Sequence, residues 1–76
     1  MPRLAPTDWQ TLVRIFEAYG FKKDRANSSH VVLSKLGCLR PVIIPKYNEV
    51  GVDIIKNNMR TAGMTREKYF ELFGST

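Results

Sequence analysis

Cysteine and histidine are nearly missing from this sequence: Cys38 and His30 are the single examples of each. One cysteine excludes a disulfide within the chain and fits a reducing, cytoplasmic location. One cysteine and one histidine leave too few ligands for a zinc site built by this chain alone, so no metal and no cofactor is expected. No apolar run approaches the roughly 20 residues that span a bilayer, and the opening MPRLAPTDW lacks the apolar stretch of a secretory signal. A membrane role is therefore not expected. Internal repeats, low-complexity tracts and long linkers are absent too, which predicts one domain over residues 1–76. A content of 43% hydrophobic and 25% charged residues, ordinary for a globular chain, argues against disorder. At this length about 60% of the unfolded surface is buried on folding, enough for one modest core.

Acidic residues are scarce in one place. Between Gly20 and Lys46, six cations (Lys22, Lys23, Arg25, Lys35, Arg40 and Lys46) are opposed by Asp24 alone, a local net of +5. Elsewhere six cations meet six anions, so the whole formal excess of +5 belongs to this stretch. Such a concentration points to a polyanion. Nucleic acid ranks ahead of membrane, because no amphipathic basic helix accompanies the charge. The plainer use of the same residues is a lysine-bearing sheet edge that blocks aggregation.

The apolar pattern predicts an α+β fold. Trp9, Leu12, Val13, Phe16 and Tyr19 make one helical stripe over Thr7–Tyr19, with Thr7 and Gln10 as a capping box and Gly20 as the stop. Three strands are predicted next: Phe21–Ala26, His30–Leu36 and Leu39–Ile44. Asn27-Ser28-Ser29 and Gly37 mark the turns between them, and Pro41 argues for an edge strand or a late strand start. A second helix runs from about Gly51 to Ala62 on the stripe Val52, Ile55, Met59 and Ala62. Thr65 caps a last short helix that carries Tyr69, Phe70 and Phe73 and stops at Gly74. Short turns imply an antiparallel three-stranded sheet, with the helices on one face and the basic residues on or beside the other.

His30 is the one side chain of a type that titrates near neutrality, and it sits at a strand start inside the basic stretch. Small residues before it allow a phosphate close to the backbone, and N–H groups of a turn can bind anions. Beside a phosphodiester, an imidazole can act as general acid or base, with a ribose 2′-hydroxyl as nucleophile and no metal. A surface histidine with a satisfied hydrogen bond is the plainer reading. Ser28 and Ser29 do not make a hydrolase triad, since no acid is placed to orient the ring. Cys38 reads as a small half-buried hydrophobe rather than a reactive thiol. Tyr47 can stack on a base or cover the end of the core, two readings of equal weight.

Taken in order, several segments resemble the HicA mRNA interferase family, the YcfA-like toxins of bacterial toxin–antitoxin pairs. They are Gly20-Phe21, Arg25, Ser29-His30, Val42-Ile43-Ile44-Pro45 and the closing Met59–Phe70. The resemblance runs from about Thr7 to Phe73. It implies a fold similar to the double-stranded-RNA-binding domain, a ribonuclease acting on mRNA whose catalytic histidine corresponds to His30, and a HicB-type antitoxin partner. In this reading Lys22, Lys23, Arg25, Lys35, Arg40 and Lys46 bind phosphates, with Ser28, Ser29 and Tyr47 beside them. Ser28 stands where the family usually has Gly, and Tyr47 where a histidine is often found. The second proton-transfer role is thereby open to Lys46, Tyr47, a substrate phosphate or water.

Two other functions fit the same residues. A non-catalytic RNA-binding module would bind with a log–log salt slope of magnitude up to about 4 if six cations engage single strands. A basic protein-interaction domain would bind an acidic partner and no RNA.

Overall fold

The computed structural model describes residues 3–75. Its elements run α1 (Trp9–Ala18), β1 (Lys22–Ala26), β2 (His30–Ser34), β3 (Val42–Pro45), α2 (Val52–Ala62) and α3 (Arg66–Ser75). The strands form one antiparallel sheet in the order β1-β2-β3. This is the α+β arrangement expected, with the α-β-β-β-α layout of a double-stranded-RNA-binding domain.

Leu12, Val13, Ile15 and Phe16 are the buried residues of α1, so Ile15 joins the predicted stripe, while Trp9 and Tyr19 are only half-buried. The cap is Asp8, not Thr7. Asp8 Oδ2 accepts the Thr11 N–H at 3.1 Å and Oδ1 accepts the Thr11 hydroxyl at 2.8 Å. These bonds, the hydroxyl's first, hold the Asp8 carboxyl below its usual pKa. Thr7 lies one residue outside, where its backbone exchanges hydrogen bonds of 3.3 and 2.7 Å with Val50, and the Thr7–Gln10 box does not form.

Two helices end by the same device. After α1, Gly20 (φ +112°) donates its N–H to the Glu17 carbonyl and Phe21 donates to Phe16, both at 3.0 Å. After α2, Gly63 (φ +68°) donates to Arg60 at 3.2 Å and Met64 to Met59 at 2.9 Å. Each is the paired hydrogen bond of a Schellman motif, which glycine's freedom at positive φ permits. Each also folds an apolar side chain back onto its helix. Phe21 meets Phe16 edge-on with ring centroids 5.9 Å apart, and Met59 and Met64 are both buried.

Residues directly opposite in the sheet share a face. Val31 opposite Ile44 and Leu33 opposite Val42 are buried beneath the helices, with Leu12, Phe16, Ile55 and Tyr69 in the same cluster. α1 packs on all three strands, α2 on β3, and α3 on α1. Burial of each such aliphatic side chain contributes about 1.5–3 kcal/mol. His30, Val32, Ser34 and Ile43 alternate with the buried set and therefore occupy the open face.

Other boundaries move. β2 ends at Ser34, and β3 begins only at Val42, the late start that Pro41 argued for. Asn58 joins the buried side of α2, with its Nδ2 unpaired among the described residues. α3 continues past Gly74 to Ser75, and Thr65 Oγ1 accepts the Lys68 N–H at 3.1 Å at its start.

Candidate functional site

The pairing of β1 with β2 is irregular in a way that shapes the open face. Lys22 is opposite Ser34 and Lys23 opposite Leu33, but Val32 faces Arg25, so Asp24 is the extra residue of a β-bulge. Regular alternation would put residues three apart on opposite faces. The bulge returns Arg25 to the face that already carries Lys22, beside the row of Val32 and His30.

Asn27 closes the hairpin. Its Oδ1 accepts the N–H groups of Ser29 at 2.7 Å and His30 at 2.8 Å, and its own N–H donates to the His30 carbonyl at 3.0 Å. On the other side the Ser29 carbonyl accepts the Lys46 N–H at 2.8 Å, and His30 is in register with Pro45. The backbone of His30 is thus held by Asn27 on one side and lies in register with Pro45 of β3 on the other, while the residue itself is exposed. One expectation is corrected here: the N–H groups of Ser29 and His30 are already donated to Asn27, so they are not the free anion donors anticipated for this turn.

Arg25, Asn27, His30, Val32 and Ile43 line an open concavity of about 480 Å³. Its chemistry is compact. An imidazole can give or take a proton, a guanidinium can fork onto a phosphate, and two aliphatic side chains offer an apolar floor.

The other anticipated residues are dispersed. Ser28 and Ser29 are exposed in the turn. Lys22 lies at the far end of the open face, in a second concavity with Ser34, Lys35 and Leu36. Lys23 pairs with Leu33, a buried-face position, yet is exposed at the sheet edge. Lys35 is turned inward: Nζ donates to the Tyr19 carbonyl at 3.2 Å and lies 4.4 Å from the centroid of its ring. Lys46 Nζ lies 5.2 Å from the centroid of the Trp9 ring. Arg40 is exposed beside Pro41, Ile43 and Thr61, at the end of β3 away from His30. Tyr47 is exposed rather than covering the core, and its carbonyl accepts the Trp9 N–H at 3.3 Å. Cys38 is half-buried against the core with Sγ 3.7 Å from the Thr61 carbonyl, as a small hydrophobe would be.

Sequence reasoning placed Asn27 only as a turn residue and did not single out Val32 or Ile43. The Asn-Ser-Ser order carried a signal for the first, since Asn oxygen accepts from N–H groups two and three residues on. Among the described residues no three His, Cys, Asp or Glu side chains gather as a metal-ligand set, and no helix is long and apolar enough to cross a membrane.

Fold and site together define a class: an α+β domain of double-stranded-RNA-binding layout whose open sheet presents one histidine beside an arginine. The family is more particular. The model of the HicA toxin of bacterial toxin–antitoxin systems matches residues 9–64, from the start of α1 to just beyond α2, and the chain belongs to this family. Neither a curated protein nor a solved structure matches the chain. Membership makes it the toxin member of a toxin–antitoxin pair, with a cognate antitoxin as partner.

Proposed function

We propose that this toxin is a metal-independent endoribonuclease that cleaves mRNA, with His30 exchanging a proton at the scissile phosphodiester. The ribose 2′-oxygen attacks phosphorus as its proton leaves, and the bond to the 5′-oxygen breaks as that oxygen gains a proton. The products are a 2′,3′-cyclic phosphate and a 5′-hydroxyl. His30 performs one of the two proton transfers, and Lys46, Tyr47, a substrate phosphate or water performs the other. Arg25 holds the phosphate next to the reacting one, with Lys22 and Arg40 extending the cationic track and Lys23, Lys35, Lys46, Ser28, Ser29 and Tyr47 contributing smaller shares. The reaction takes place in the cytoplasm, and a HicB-like antitoxin restrains it.

The observation that carries this reading is the meeting of His30 and Arg25 in one concavity, in a chain of the toxin family. End-labelled RNA incubated in excess EDTA with wild-type protein or His30→Ala tests it. Wild type is expected to cut and leave cyclic-phosphate ends, with the variant slower by about 10²- to 10⁴-fold. Equal cutting by both would remove His30 from the mechanism. If neither cuts while both bind RNA in a salt-dependent way, the non-catalytic RNA-binding module replaces this reading.

A further inference from the structure

We propose that Leu36 and Leu39, in the β2–β3 connection, are the anchors by which the cognate antitoxin grips this chain, through apolar sockets rimmed with acidic side chains. Leu36 is 99% exposed and Leu39 102%, whereas Leu12 and Leu33 are wholly buried. The loop that presents them is pinned. Cys38 stands between them, packed against the core, with its Sγ near the Thr61 carbonyl and its N–H donated to the Lys35 carbonyl at 3.0 Å. Fixing Cys38 inward leaves its apolar neighbours turned out to water.

Isolated exposed aliphatics are common, but here two stand fully exposed within four residues of one pinned loop. Leu36 and Leu39 lie outside the concavity that holds His30, where a protein partner can desolvate them. The charges beside the leucines select which protein. Lys22 shares a concavity of about 530 Å³ with Leu36, and exposed Arg40 follows Leu39. A partner that covers the leucines must bring acidic groups to these cations. A second copy of this chain would bring the same cations and set like charges against each other. His30 sits at the opposite end of β2 from this loop, and the strand from His30 to Ser34 alone spans roughly 13 Å at about 3.3 Å per residue, so the grip is separable from the chemistry. The inference rests on the antitoxin partnership and not on cleavage.

The test is a Leu36→Ser/Leu39→Ser variant titrated calorimetrically with the purified cognate antitoxin, beside wild type. The expected result is affinity weakened by about 100-fold, with the thermal midpoint and the behaviour toward RNA unchanged. A Leu36→Met/Leu39→Met variant is expected to bind as wild type does. Affinity of the serine variant within about threefold of wild type, on a scale where tenfold is 1.4 kcal/mol, would overturn the proposal. It is equally overturned if antitoxin affinity stands while the substitutions abolish a wild-type dimer in sedimentation, or abolish binding to phosphatidylcholine–phosphatidylserine vesicles. Should wild type cut no RNA, the nuclease reading fails alone, and the calorimetric comparison still decides this one.

Discussion

Asn27 makes three hydrogen bonds to Ser29 and His30, and two of them run through its side-chain oxygen. Removing that oxygen frees the N–H groups of Ser29 and His30 and lets the imidazole drift from its place above the concavity. If His30 exchanges the proton as proposed, Asn27→Ala is expected to slow cleavage by about 10- to 100-fold in single-turnover kinetics, since small misplacements of a reacting group are costly. Asn27→Asp keeps an acceptor at the same position and is expected to restore most of the rate. A mere loss of stability would lower the thermal midpoint of both variants and leave the rate of the folded fraction alone. At this scale the sequence was only partly legible. His30 stood out as the lone imidazole in a basic stretch, but which groups would clamp it depended on where the hairpin closed. Tyr47 and Lys46 show the same limit, because Trp9, which meets the Tyr47 carbonyl and the Lys46 side chain, comes from α1 and not from adjacent sequence.

The elements read more clearly, because local rules govern them. Apolar spacing located all three helices, and β-branched runs located β2 and β3. The bulge in β1 was not legible: no glycine or proline marks Asp24, and β1 exposes all five of its residues, so no buried pattern betrays the slip. The helix ends give a graded prediction. At Gly63 an added Cβ meets open space, so Gly63→Ala costs only the positive φ, about 1–2 kcal/mol. At Gly20 the backbone lies farther from the left-handed helical region, and the new Cβ would come within 3.2 Å of Lys35 Cε. Gly20→Ala is thus expected to be the more destabilising of the two in urea unfolding, and to displace Lys35 from the Tyr19 carbonyl.

For the whole molecule, the net charge of +5 overstates the field available to a polyanion. Lys35 and Lys46 lie against aromatic rings, and Lys23 occupies a buried-face position on the edge strand. Lys22 and Arg25 remain on the open face and exposed Arg40 stands beside the start of β3, so the log–log salt slope for single-stranded RNA is expected near −2, at roughly 0.7 per phosphate neutralised. Fluorescence anisotropy across a salt series checks it, and a slope near −4 would mean that the lysines leave their rings to join the interface. The strand order has a different kind of consequence. Because β1, β2 and β3 lie side by side in chain order, the sheet closes through short loops and little entropy is lost before pairing begins. Refolding is expected within about milliseconds, followed by stopped-flow fluorescence of Trp9, the single tryptophan. Diffusive encounter with a protein at about 1 μM takes on the order of a second at ordinary association rates. On these rates a newly made toxin chain is native before its antitoxin reaches it, so the antitoxin is expected to meet the folded toxin rather than capture it during synthesis.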